Sequence, residues 1–191
     1  FEQEFKYDDI VFLEEGIAYN GIKAKHIIFA EGFGMHQNPY FNFLPLDGTK
    51  GELFIIKAPN LTIDVIVNTS VFILPLGDGL FKVGATYNWK DKTDLPTSDG
   101  KEELIARIKE IISCEFEVID HFAGVRPTVR DRRPLVGTHD TYSQLHILNG
   151  LGTRGVMLGP SMAKALYNNI EHQLPLSDEI NWNRYLKKFR K

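Results

Sequence analysis

The strand-like run Leu145-His-Ile-Leu148 passes into Asn149-Gly-Leu-Gly-Thr-Arg-Gly155, and then into apolar residues at helical spacing: Val156, Met157, Met162, Ala163, Leu166 and Ile170. Three glycines between a strand and a helix constrain this chain more than any other stretch. Glycine takes positive φ without steric cost and lets backbone crowd against a neighbour. The expected product is a tight strand-to-helix passage, with the helix beginning near Gly155. The first N–H groups of that helix have no intrahelical partners, so its start is an anion site in outline. The same glycines read equally as a plain structural turn. Pro160 is tolerable only near the first turn of the helix.

At 191 residues and 43% hydrophobic, the chain can build one domain or two small ones sharing a core. A formal charge of -3 offers no general reason to expect nucleic acid or an anionic membrane as partner. Arg126, Arg130, Arg132 and Arg133 form one basic cluster, with no aromatic ladder interleaved to suit nucleic acid. Lys187, Lys188, Arg190 and Lys191 read as a solvated end. Cys114 is the single cysteine, which excludes an intrachain disulfide and a cysteine-based metal site. Following Ile111, Ile112 and Ser113, it reads as a small buried hydrophobe. His26, His36, His121, His139, His146 and His172 form no His-Glu-x-x-His array, so no metal is expected. His121 and His146, in strand-like runs, read as structural. A Gly-x-Ser-x-Gly elbow is absent, which removes the simplest hydrolase reading. Without a run of transmembrane length or a signal peptide, the expected location is cytoplasmic. The chain begins with Phe rather than Met, which suggests a piece of something longer.

Short strands are expected first: Ile10–Leu13, then Ile17–Tyr19 and Ile22–Ala24 joined by the hairpin signal Asn20-Gly21. His26–Ala30 lacks alternation and predicts a strand buried on both faces. Residues 35–51 read as an irregular crossing. Leu53–Ile56, Thr62–Val67, Val71–Leu74 and Leu80–Val83 predict an antiparallel meander with turns at 58–60, 68–70 and 77–79. Asp99 is the expected cap of an amphipathic helix carrying Leu104, Ile105, Ile108, Ile111 and Ile112, with Glu102 completing a capping box. Phe116–Phe122 returns as a strand, and Trp182, Tyr185, Leu186 and Phe189 suggest a short closing helix.

Arg126 stands before Pro127 at the end of a strand pattern, where its guanidinium can meet a carboxylate with two parallel hydrogen bonds. An arginine paired internally to hold a loop is the other reading. Arg154, inside the glycine turn, projects over a ligand or lies on a surface bend. Asp131, Arg132 and Arg133 are expected to form local ion pairs that organise the turn before Pro134.

Taken together, Gly124-Val-Arg-Pro127 with Asp131, Pro134 and Gly137, then Leu148–Gly155 and Pro160, resemble the C-terminal half of an FAD-dependent oxidoreductase. The family is the D-amino-acid oxidase, glycine oxidase and sarcosine oxidase superfamily. Ile27-Ile-Phe-Ala-Glu-Gly32 resembles its strand that reaches the flavin, Gly51-Glu-Leu the start of its substrate sheet, and Leu74–Ala85 that sheet's central hairpin. The resemblance implies a mixed α/β (α+β) fold, in which an antiparallel substrate-binding domain, residues 50–122, is inserted into a partial Rossmann-like FAD-binding domain, residues 1–49 and 123–191, that lacks its N-terminal βαβ unit. It implies that Arg126 holds a substrate carboxylate, and that Ala30, Gly32 and the turn Gly150, Leu151, Gly152, Thr153, Arg154 and Gly155 border the flavin, with Arg126 and Arg154 as the residues nearest the chemistry. Tyr40, Tyr87 and His121 are further residues able to line the pocket.

The implied activity of the parent protein is oxidation of a small amine or amino acid at the carbon bearing nitrogen. FAD does that redox work, so no protein nucleophile is needed. No Gly-x-Gly-x-x-Gly occurs near the start, so at best half of an FAD site is present, and the fragment alone is expected to be inactive. Thr153 stands where some glycine-oxidase-like members carry a bulkier basic residue. A degenerate relative serving as a binding or assembly module, with Arg126 used structurally, is the alternative.

Overall fold

In the computed structural model, which describes residues 5–186, the Asn20-Gly21 pair makes the turn its sequence predicts. Both residues take positive φ, 47° and 80°, as a two-residue hairpin turn requires. Val11–Phe12 (β1), Ile17–Tyr19 (β2) and Ile22–Ala24 (β3) form a small antiparallel sheet, with Tyr19 opposite Ile22 across the turn. Ile27–Phe29 (β4) follows.

Gly48–Arg126 forms one compact unit of the chain, and the segments on either side of it form the other. Within Gly48–Arg126 lie Thr49–Lys57 (β5), Val67–Asn68 (β6), Phe72–Gly77 (β7), Leu80–Gly84 (β8), Ser98–Lys109 (α1) and Glu117–Arg126 (β9). The five strands make an antiparallel sheet in the order β6-β7-β8-β5-β9. It departs from the expected meander in that β5, first in sequence, lies between β8 and β9. Residues 62–66 are not strand. They hold the right residue types, yet pair with no neighbour, and Val65 and Ile66 are exposed. The helix also starts earlier than expected. Thr97, not Asp99, is its cap, accepting from the Gly100 N–H at 3.0 Å, and Asp99 falls in the first turn, where its charge suits the dipole. Leu104 and Ile108 of α1 are buried with Phe54, Ile56, Ile73, Phe81 and Val83 of the sheet. Cys114 packs half-buried at the edge of that core.

The other unit resumes with Leu135–Thr138 (β10), Leu145–Asn149 (β11) and Gly155–His172 (α2). Here β10 runs antiparallel to β11, and β11 runs parallel to β4, with Ile147 opposite Phe29. The expected burial of β4 on both faces does not hold: on one face Phe29 is buried, while on the other Ile28 is 51% exposed. The core gathers Phe29, Phe41, Leu135, Leu145, Ile147 and Trp182, whose indole N–H donates to the Thr138 carbonyl at 2.8 Å. Pro160 lies inside α2, beyond its first turn, so the helix runs through a position where the carbonyl one turn back loses its donor. The closing segment begins with a short 3₁₀ turn, Trp182–Tyr185, and Leu186 after it is helical; the rest of the expected closing helix lies beyond the described residues. Phe189 and the basic cluster Lys187, Lys188, Arg190 and Lys191 lie outside the described residues. No described helix is long and apolar enough to cross a membrane. The fold is the mixed α/β class expected, with an antiparallel sheet and a separate, partial Rossmann-like sheet.

Candidate functional site

Parallel neighbours β4 and β11 finish side by side, and ligands of open α/β sheets bind outside the carboxyl ends of such strands. Ala30 and Gly32 follow β4; Gly150, Leu151, Gly152, Thr153, Arg154 and Gly155 follow β11. The structure thus brings these eight predicted residues to one end of one sheet. Gly32, Gly150 and Gly152 all have positive φ, at 59°, 71° and 55°. A Cβ on Gly150 would stand 2.5 Å from Val129 Cγ2, so close packing as well as φ demands glycine there.

Asn149, which sequence reasoning passed over, ties the two strand ends together. Its Nδ2 donates to the Gly32 carbonyl at 2.9 Å, and its Oδ1 accepts from the Gly150 N–H at 2.7 Å. The side chain is buried. Its one available signal was its place as the last residue before the first glycine. On the other side of the turn, the Gly152 N–H donates to the Pro127 carbonyl at 3.0 Å, and Leu151 bridges to Thr128.

Gly155 then opens α2 with no side-chain cap and no acidic residue in the first turn. Val156 is 98% exposed and Met157 67% exposed, so the apolar residues that suggested a packed helix face open space at its start. Such a helix end offers unsatisfied N–H groups, a positive dipole and apolar cover side by side.

Arg154 is exposed, and its guanidinium donates to the Arg132 carbonyl at 3.4 Å. With Arg132, Arg133, Leu158 and Met162 it borders a groove of about 390 Å³. The expected local ion pairs among Asp131, Arg132 and Arg133 do not form. Asp131 holds the turn locally by accepting from the Arg133 backbone N–H at 3.0 Å, but its charged partner is Arg184, whose Nε donates at 2.9 Å beside the Tyr185 hydroxyl at 2.5 Å, and Arg133 meets Glu179 at 2.5 Å. Arg184, Tyr185 and Glu179 come from the far end of the chain, which local spacing does not reveal. Burial and the bond to Asp131 push the Tyr185 hydroxyl up to about 12.

Arg126 belongs to the Gly48–Arg126 unit, where it ends β9 opposite Thr49 of β5. Its half-buried guanidinium lies over Gly51, where a Cβ would come within 2.1 Å of it. Nη1 donates to the Thr86 carbonyl at 3.4 Å, and the Tyr87 ring lies 4.6 Å from the guanidinium carbon. Burial lowers the Arg126 pKa, with the Tyr87 oxygen acting in the opposite direction. A cation penalised by burial gains from an added anion.

Of the further candidates, Tyr87 stacks on Arg126, while Tyr40 packs among Phe12, Phe29 and Tyr142, its pKa raised by burial. His121 Nε2 lies 2.8 Å from Glu52 Oε2 without hydrogen-bond alignment. Glu52 also accepts from the Thr97 N–H at 2.9 Å and hydroxyl at 2.8 Å, and Lys50 beside it is fully buried. Neither Lys50 nor Glu52 was singled out by the sequence. In the other unit, His146 makes contacts of 2.9 Å to Thr138 Oγ1 and 3.0 Å to His26 Nδ1. Burial, with His26 adding to it, pushes His146 down to about 4.

A glycine turn at paired strand ends, and a half-buried arginine over a glycine of a separate antiparallel sheet, are features against which known proteins can be compared. The glycine oxidase of Bacillus subtilis (strain 168) is 25% identical over 174 residues, covering 87% of this chain and 45% of that protein. The structure of glycine oxidase from Geobacillus kaustophilus matches with a TM-score of 0.75 at 21% identity, over 89% of this chain and 49% of that one. The structure of iminodiacetate oxidase from Chelativorans sp. BNC1 matches with a TM-score of 0.75 at 23% identity, over 90% of this chain and 51% of that one. The chain therefore spans about half the length of the relatives it matches. Since the FAD dependent oxidoreductase (DAO) pattern matches residues 5–168, well over half of the chain, the chain belongs to the DAO family of FAD-dependent oxidoreductases.

Proposed function

We propose that this chain is the C-terminal half of an FAD-dependent oxidoreductase that oxidises a small amine or amino acid at the carbon bearing the nitrogen. In this reading Gly48–Arg126 is the substrate-binding unit and the remainder a partial FAD-binding unit. The observation that carries it is the setting of Arg126: a half-buried guanidinium, stacked at 4.6 Å on Tyr87 and floored by a glycine. That setting suits a planar carboxylate held by two parallel hydrogen bonds.

The residues of the glycine turn fit the flavin's polar edge. An uncapped helix start without acidic side chains favours negative charge, and Val156 and Met157 offer apolar surface beside it. Gly150, Leu151, Gly152, Thr153, Arg154 and Gly155, with Ala30 and Gly32, are the residues assigned to hold it. When bound, FAD supplies the two-electron oxidation of the carbon–nitrogen bond. The chain's own residues bind and orient: Arg126 fixes the carboxylate, and Tyr87 holds the guanidinium plane. Backbone N–H groups at 150–155 present positive partial charge, to which the Arg154 guanidinium adds.

The experiment uses the protein as it occurs in its cell, with whatever segments accompany this chain there. It is expected to be yellow, and its flavin absorbance to bleach under anaerobic addition of a small amino acid. A folded but colourless protein indifferent to FAD would reject the proposal.

A further inference from the structure

Successive side chains of a strand point to opposite faces, so Lys50 and Glu52 of β5 lie on the face away from Gly51 and its overlying guanidinium. The Lys50 side chain is fully buried, and an ammonium has three protons to place. Its three hydrogen bonds go to one loop, Asp91 Oδ2 at 2.5 Å, Thr93 Oγ1 at 3.1 Å and the Leu95 carbonyl at 2.5 Å, while the Glu52 carboxylate of its own strand stands 3.8 Å from the ammonium. The bond from Lys50 is the chief influence holding Asp91 down to about 2. The far end of the loop is fastened by Thr97 to Glu52, and Lys92 Nζ donates to the Gly48 carbonyl at 2.6 Å.

At its near end the loop is paired to β5 by backbone. Lys50 and Asn88 exchange both N–H bonds at 2.9 Å, Thr86 N donates to the Glu52 carbonyl at 3.2 Å, and Glu52 N donates to Thr86 Oγ1 at 2.9 Å. Tyr87 sits between these two anchored residues, and Thr86 supplies the carbonyl that Arg126 reaches.

We infer that Lys50 is a positioning residue: by knotting loop 88–97 onto one face of β5, its ammonium holds Tyr87 over Arg126 and so sets that arginine's affinity for a carboxylate. The affinity part rests on the proposed role of Arg126. The geometric part does not. Burying an ammonium is costly unless every proton is satisfied, and three partners on one loop make that satisfaction conditional on the loop's position.

The test uses the whole chain with acetate as probe. The Arg126 side-chain NMR signal, assigned by its loss in Arg126→Lys, is expected to carry a ring-current shift from Tyr87 and to move with acetate. In Lys50→Met the shift should collapse, Trp89, 50% exposed and inside the loop, should become more open to acrylamide quenching, and acetate binding should weaken. A fall of the competent population to about a fifth gives about a fivefold loss of affinity. Asp91→Ala makes the same cut from the loop side, should Lys50→Met fail to fold, and Asp91→Asn, which keeps an acceptor, should restore the shift. An unchanged ring-current shift in both Lys50→Met and Asp91→Ala overturns the proposal, whatever happens to the melting temperature. An altered shift with unaltered acetate affinity overturns its affinity part. If acetate moves no Arg126 signal even in the unaltered chain, the carboxylate role itself fails, and the ring-current comparison still decides the geometric part.

Discussion

Asn149 donates to the Gly32 carbonyl across 117 residues of sequence, and the bond closes the gap between the ends of β4 and β11. With its oxygen engaged by the Gly150 N–H, this one buried amide serves both strand ends. Asn149→Ala should cost about 2–4 kcal/mol, the sum of two lost bonds and two backbone groups left short of partners. Urea unfolding measures it, and a loss under 0.5 kcal/mol, the order expected of a neutral surface change, would show that the bridge does not organise the turn.

Gly150 and Gly152 separate φ strain from crowding. Both take positive φ, but only Gly150 has a neighbour where a Cβ would go, Val129 Cγ2 at 2.5 Å against 3.8 Å to Thr128 Oγ1 for Gly152. Gly152→Ala should cost the left-handed penalty alone, about 1–2 kcal/mol. Gly150→Ala adds displacement of a packed core side chain, for a total of about 3–5 kcal/mol. Equal losses in paired denaturation curves would contradict this.

Gly51→Ala acts on a different quantity. The atoms its methyl would strike, Arg126 Nη1, Nη2 and Cζ, are the far end of a flexible side chain, so the fold adjusts while the guanidinium moves away. Melting temperature should hardly change, whereas kcat/KM of the flavin-loaded protein should fall about 10- to 100-fold, the range for losing a charged hydrogen bond. Arg126→Ala should lose at least as much turnover with the melting temperature kept. Loss of folding instead would assign Arg126 to structure and favour a non-catalytic relative.

The His146 pair predicts an acid-side slope in stability. Its folded pKa, about 4, lies below the ordinary 6.5, so the folded chain favours the neutral ring. That contribution is present above pH 6.5 and is lost as pH falls from there toward 4, because the unfolded chain takes up the proton first. His139, also lowered chiefly by burial, acts with the same sign. The loss should be on the order of 1–3 kcal/mol. Chemical unfolding of the wild type and of His146→Gln at pH 7, 6 and 5 checks it, since the variant's slope over that interval should be shallower. Parallel slopes would remove His146 from the account.

What could be read from residues in order was what depends on neighbours in order. Asn20-Gly21 specifies its turn because two adjacent residues must both reach positive φ, and the passage at 150–155 is legible for the same reason. Helix α1 announced itself by its apolar spacing, although its cap moved from Asp99 to Thr97, where the choice depended on which oxygen reached the Gly100 N–H. The setting of Arg126 was visible only as an arginine before a proline. Its floor, Gly51, and its lid, Tyr87, lie 75 and 39 residues earlier in the numbering and meet it only when β5 and β9 pair.

By itself, then, the sequence determined the local turns, the amphipathic helix, the strand-rich middle and the family resemblance carried by short motifs. Tertiary structure decided which polar residues are buried and what they hold. Lys50 and Glu52 look like solvated charges in a strand of alternating character, and Asn149 looks like an ordinary turn residue. Their partners lie 41 to 45 residues away for Lys50 and 117 away for Asn149. Burial of a charge or an amide is favourable only when distant groups arrive to complete its hydrogen bonds, and that completion is a property of packing, not of spacing.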